Sequence, residues 1–156
     1  MAAMTRDAAD AFYLGDDQDD VVGFDAVMSV FSSDGGLEVE QAWCAVNEVL
    51  RQDIPDLDPF WVGEPVTDDL GYGPAFFASP ETVQRLAATL TGLTENEAYR
   101  RLDAAIDAGA IDYPAIWDRD DESEENRQWA IDSTMRVIGL YERAAVNGLG
   151  MFALLL

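Results

Sequence analysis

The chain contains no lysine, no histidine and a single cysteine. Without histidine there is no Ser-His-Asp or Cys-His pair and no imidazole ligand for a metal. Without lysine there is no P-loop lysine, no Schiff base and no kinase-type lysine. Cys44 has no internal disulfide partner, which fits a reducing cytoplasm. It sits in an apolar helical pattern, the setting of a buried inert thiol rather than a nucleophile. Long apolar runs are also missing. None approaches the roughly 18 residues of a membrane span. Met1–Leu14, broken by Arg6, Asp7 and Asp10, has no signal-peptide core.

Acidic residues, by contrast, are abundant: 31 against nine basic residues, all of them arginine, for a net charge of -22. Phosphate backbones and anionic lipid surfaces are repelled by such a surface, so neither nucleic acid nor membrane is expected as a partner. Three origins compete for the acidity: compositional bias of the source genome, a salt-adapted or highly soluble surface, and a specific basic protein partner. The chain nevertheless folds, with 49% hydrophobic residues and four tryptophans. A length of 156 residues is read as one domain over 1–156. A domain of that size buries about 70% of the surface its unfolded chain exposes.

Residues 1–20 read as weakly structured, with Asp16–Asp20 a solvated acidic loop that lacks the EF-hand spacing. Phe24, Val27, Met28 and Phe31 fall at helical spacing. A helix is predicted over Glu38–Arg51, with Val39, Ala42, Trp43, Val46, Val49 and Leu50 on one apolar face and Trp43 as a core anchor. Phe60–Val62 and Ala75–Ala78 read as short strands. Between them, Gly63–Pro74 holds three glycines, two prolines and three acids. Gly71 and Gly73 can supply positive φ there, and Pro74 restricts Gly73, so the segment is a shaped turn. Ser79-Pro80-Glu81 starts a helix, and Thr94-Glu95-Asn96-Glu97 is a capping box for the next, which ends near Gly109. A long helix is predicted from Ser123 to Asn147, capped by Gly148, and Leu149–Leu156 reads as a buried strand. The predicted fold class is α+β: several helices on a small mixed sheet that includes the C-terminal strand.

Several motifs recur in a set order. Glu40-Gln41-Ala42-Trp43 lies on a helix, followed by Gly63-Glu64-Pro65 and Asp69-Leu70-Gly71-Tyr72-Gly73-Pro74-Ala75. Ser79–Val83, Tyr113–Asp120 and Tyr141-Glu142-Arg143-Ala144-Ala145 come next, before the final apolar strand. In this order the chain resembles the YfbM-like family, bacterial domains of unknown function (1877), over about residues 38–156. The resemblance implies an α+β fold and no particular activity. Family members tend to open with a short strand and a helix, and Met1–Asp20 has no clear equivalent.

One constellation has the chemistry for a site. Glu64, Asp69 and Tyr72 come from the first loop, and Tyr113, Trp117, Asp118 and Arg119 from the second. Two carboxylates and a tyrosine suit acid–base work, and Trp117 suits stacking on a sugar or base. Structural roles weigh more: Asp69 in an Asx turn, Glu64 accepting backbone N–H bonds, Tyr72 packing its ring, and Asp118 and Arg119 capping or pairing. Asp118, Asp120 and Asp121 read as a solvated run rather than a magnesium or calcium site. No catalytic residue, metal or cofactor is assigned. The leading reading is a soluble cytoplasmic binding or interaction module for a basic protein partner. Its competitor is a small carboxylate-based hydrolase or small-molecule-binding enzyme with a cleft between loops 63–74 and 112–121. A third reading is a structural subunit of an oligomer whose state the sequence does not fix.

Overall fold

A computed structural model describes residues 2–4, 36–54, 58–67, 73–117 and 123–155, the first three by their backbone. The predicted helical spacing of Phe24–Phe31 lies outside these residues.

A 3-10 turn over Glu40–Ala42 leads into helix α1, Trp43–Leu50. The α-helix therefore begins later than predicted. Glu40 takes φ +45°, a left-handed conformation unusual for a side-chain-bearing residue, and no side chain caps this end. Ala42, Ala45, Val46, Val49 and Leu50 form the buried face.

The strand predicted at Phe60–Val62 is instead a bend fixed by Asp58. Its Oδ1 accepts from the backbone N–H of Phe60 (3.0 Å) and Trp61 (3.3 Å). Its Oδ2 accepts from Asn47 Nδ2 on α1 at 2.8 Å. The buried Tyr141 hydroxyl donates to the Pro59 carbonyl at 2.7 Å, and burial followed by the nearby Asp58 charge raises the phenol pKa. With Phe60 and Trp61 committed to a bend, pairing starts only at strand β2, Glu64–Pro65.

Strand β3 is Phe76–Ala78 and β4 is Gly150–Ala153. Strand β1, Ala2–Met4, lies within the segment read as weakly structured. It pairs with β4, which supplies the hydrogen bonds that its own short sequence does not advertise. The sheet order among the described residues is β1-β4-β3-β2, and every described pair is antiparallel where a mixed sheet is predicted. Pro65, which donates no ladder bond, sits in an edge strand. Alternation along β4 sends Met151 and Ala153 into the main core, while Phe152 meets Phe77 across the pair with centroids 4.9 Å apart.

Helix α2 is Pro80–Leu90, α3 is Glu95–Asp107 and α4 is Ser123–Val146. Ser79 Oγ caps α2 by accepting from Thr82 N–H, and Thr94 Oγ1 caps α3 by accepting from Glu97 N–H, each at 3.3 Å. Glu97 does not close its capping box by any described bond; its carboxylate holds Arg100 and Arg101, and these bonds keep it below its ordinary pKa. Gly109 and Gly148 end α3 and α4 in the left-handed region, each with the paired backbone bonds of a Schellman motif. Helix α4, whose 24 residues span about 36 Å, is the spine. It packs against α1, α2 and α3 and buries Ile131, Val137, Ile138 and Tyr141. Arg101 ties α3 to the end of α1 by a two-bond fork on Asp53 (2.8 and 2.9 Å) and a bond to the Val49 carbonyl. The α+β architecture with the C-terminal strand inside the sheet is as the sequence predicts. No helix among the described residues is long and apolar enough to cross a membrane.

Gly63 has φ +102°, and a Cβ there would lie 2.0 Å from the Phe77 carbonyl oxygen across the β2–β3 pair. Gly63→Ala is expected to lower unfolding free energy by at least about 3 kcal/mol, read by urea denaturation, because rigid backbone cannot yield. Tyr141→Phe orphans the Pro59 carbonyl and should cost about 1–2 kcal/mol in the same assay. An unchanged midpoint would show that the 58–61 bend does not depend on that hydroxyl.

Candidate functional site

The 58–61 bend and the described part of the 112–121 loop meet over the first turn of α1. Trp43 touches Trp61 edge to face, with centroids 5.3 Å apart at 65°, and lies against Tyr113 at 6.4 Å and 31°. Trp61 in turn meets Phe60 at 6.1 Å. A continuous aromatic seam thus runs from the 58–61 bend to the 112–117 loop. Such pairings add to the apolar area they bury. Trp43 and Trp61 are half-buried, whereas Tyr113 is 48% exposed.

The Tyr113 backbone is held from below. The amides of Tyr113 and Asp112 lie against the Cys44 sulfur, and Pro114, joined to Tyr113 by a cis bond, is buried. Burial pushes the Cys44 thiol above its ordinary pKa. Those two amides oppose the shift, and the Glu48 and Asp112 carboxylates add to it. Asn126 Nδ2 on α4 donates to the Ile116 carbonyl at 3.2 Å and fixes the far side of the loop.

Of the seven residues singled out in the sequence, three are described. Glu64 is exposed on edge strand β2, three positions after Trp61. Tyr113 joins the seam. Trp117 is only 5% exposed, buried in the main core, and its indole N–H has no hydrogen-bond partner among the described residues. Its rings are covered by core side chains, so the exposed aromatic of this loop is Tyr113. Asp69, Tyr72, Asp118 and Arg119 lie outside the described residues. The seam's two tryptophans are not among the sequence candidates, because helical spacing places Trp43 in the core and β-favouring neighbours place Trp61 in a strand. The signal available was an aromatic at the start of a helix together with aromatics just ahead of the first loop and within the second.

Beside the seam, a shallow groove runs between Phe60, Trp61, Pro74, Phe76, Leu154 and Leu155. Its volume of about 10 Å³ admits roughly one water. A small-molecule pocket needs several hundred Å³, so this groove does not enclose a substrate.

A second feature lies where α3 packs on α4. Tyr99 donates to Gln128 Oε1, and Gln128 Nε2 donates to Asp132 Oδ1 at 2.8 Å. Burial raises the Tyr99 pKa, and the charges of Glu124, Glu95, Asp132 and Asp103 raise it further. These four carboxylates from two helices are exposed around one tyrosine. Arg127 offsets Asp103 at 2.8 Å. Among the described residues, no three Cys, Asp or Glu side chains are placed to hold a metal ion.

A family model described as "Domain of unknown function (DUF1877)" matches residues 7–153. The chain belongs to this family. The match reaches well upstream of residue 38, so the family pattern includes most of the N-terminal region in which the motif order found no equivalent. No curated protein and no solved structure matches the chain. Membership of DUF1877 carries no activity with it, and function must be argued from this chain's own surface.

The geometry around Cys44 gives a direct check on the seam. A raised thiol pKa means less thiolate at neutral pH, so Cys44 should react with a disulfide reagent at pH 7.5 at least roughly tenfold more slowly than a free peptide thiol. The rate should climb as pH rises past 9, where thiolate forms. Rapid labelling at pH 7.5 would mean that the 112–113 backbone lifts off α1 readily.

Proposed function

We propose that this DUF1877 domain is a cytoplasmic binding module that engages a basic segment of a protein partner through its acidic surface. The observation that carries this reading is the α3–α4 seam, where exposed Glu95, Asp103, Glu124 and Asp132 surround Tyr99. Among described residues, only Arg127 is bonded into that group from the basic side. Like charges gathered on one face cost self-repulsion, which an incoming cationic segment relieves. Steering by such a field accelerates encounter and makes association depend on salt. The wider balance of -22 extends the same field and disfavours nucleic acid and anionic membrane as partners. An unpaired Cys44 suits a reducing compartment.

The test uses a peptide of alternating arginine and glycine, titrated by calorimetry. Binding should weaken roughly tenfold or more between about 50 and about 500 mM NaCl, as screening shortens the reach of the surface charges. A Glu95→Gln/Glu124→Gln/Asp132→Asn variant, which spares the Asp103–Arg127 pair, should bind several-fold more weakly at low salt. Equal binding by the variant, or no binding to wild type at about 50 mM NaCl, removes the reading.

A further inference from the structure

We infer that the exposed ring of Tyr113, backed by Trp43 and adjoining Asp112, is the anchoring contact for an arginine side chain of the basic partner. This rests on the reading of a basic partner and adds to the α3–α4 carboxylates a second contact, at which one of its arginines docks. Tyr113 and Val146 are the large hydrophobic side chains left exposed among the described residues, and Tyr113 is the only aromatic of the two. A single exposed tyrosine is ordinary on a protein surface. An exposed tyrosine held this firmly is less so.

Three constraints fix it. Its backbone lies on Cys44, the following Pro114 is buried, and its ring rests on Trp43. Trp43 is backed by Trp61, which belongs to the bend pinned by Asp58. The ring is therefore ordered before any partner arrives, and little conformational entropy remains to be lost on binding. Tyrosine offers a large amphipathic contact and is enriched among residues that dominate binding energies.

The electrostatics select the guest. An aromatic face attracts a cation, and a guanidinium lies flat on it while keeping its N–H groups free for a neighbouring acceptor. The exposed carboxylate of Asp112 acts on Cys44, against which the Tyr113 backbone lies, and is the acceptor at hand; Glu48, one turn along α1, is already bonded by Arg51. Of the described arginines with ion pairs, Arg51 bonds Glu48, Arg100 and Arg101 bond Glu97, and Arg127 bonds Asp103. No described arginine is stacked on the Tyr113 ring; the described aromatic neighbour is Trp43. A neutral sugar would use the ring face but gain nothing from the surrounding charge, so the cationic guest is favoured.

The experiment titrates the arginine–glycine peptide, a citrulline–glycine peptide of the same length and a neutral cello-oligosaccharide into wild type, Tyr113→Ala, Tyr113→Leu and Tyr113→Phe. Thermal melts accompany each variant. At about 150 mM NaCl, Tyr113→Ala and Tyr113→Leu should weaken arginine-peptide binding roughly threefold or more, and Tyr113→Phe should bind as wild type does. The salt dependence should be unchanged, because no charge is removed. The leucine variant keeps side-chain bulk over Trp43, so a folding defect confined to alanine leaves the comparison intact. Equal affinity of wild type and Tyr113→Leu, with salt-dependent binding retained, overturns the anchor and leaves the acidic-surface reading standing. Absence of arginine-peptide binding to wild type overturns both. Tyr113-dependent binding of the citrulline peptide or the oligosaccharide equal to that of the arginine peptide overturns the cationic assignment.

Discussion

The arrangement of this domain depends on one carboxylate, Asp58. With one oxygen it satisfies two backbone donors in the 58–61 bend, and with the other it reaches Asn47 on α1. Tyr141, at the buried face of α4, takes the Pro59 carbonyl from the opposite side. Two helices and an irregular segment are locked together through hydrogen bonds that buried polar groups are costly to forgo. The bend in turn sets the course of the chain beyond it. It turns Phe60 into the core, sets Trp61 against Trp43, and leaves the chain at Gly63 close enough to Phe77 for β2 to pair. The aromatic seam and the edge of the sheet are both downstream of this knot.

Helix ends were the most legible part of the sequence, because their chemistry is local. Ser79-Pro80 and the Thr94 cap announce α2 and α3, and Gly148 announces the end of α4, with no knowledge of tertiary contacts. The C-terminal strand was legible as a short apolar run bounded by a glycine turn. The misplaced strand at Phe60–Val62 has a physical reason: β-favouring side chains say nothing about a carboxylate two residues upstream that consumes the backbone donors. Strand β1 was illegible for a related reason. Ala2–Met4 has too little side chain to declare a face, and its order comes from pairing with residues some 150 positions away.

In the sequence Tyr113 stands out as a candidate, whereas the two tryptophans beside it do not. Trp43 bridges Trp61, ahead of the 63–74 loop, and Tyr113 of the 112–121 loop. Which aromatic of the second loop faces outward did not follow. Tyr113 and Trp117 are equally plausible as surface residues in a Tyr-Pro-Ala-Ile-Trp sequence with no period, and only packing on Trp43 and the core separates them. Likewise, the α3–α4 carboxylates were visible as charge and invisible as a face, since Glu95 and Asp132 converge only through helix packing.

The position of β4 bears on how the molecule comes into being. It lies between β1 and β3, and its Met151 and Ala153 enter the core that the described helices share. The residues of the four described helices precede 150–153 in the chain, and the described sheet has no centre until β4 is made. Strands β1 and β3 must wait with unpaired edges, and closure joins residue 2 to residue 152. Contacts of such sequence separation slow folding and lengthen the life of sticky intermediates. A surface carrying a net charge of -22 is well suited to that interval, since nascent copies of the chain repel one another while their sheets remain open.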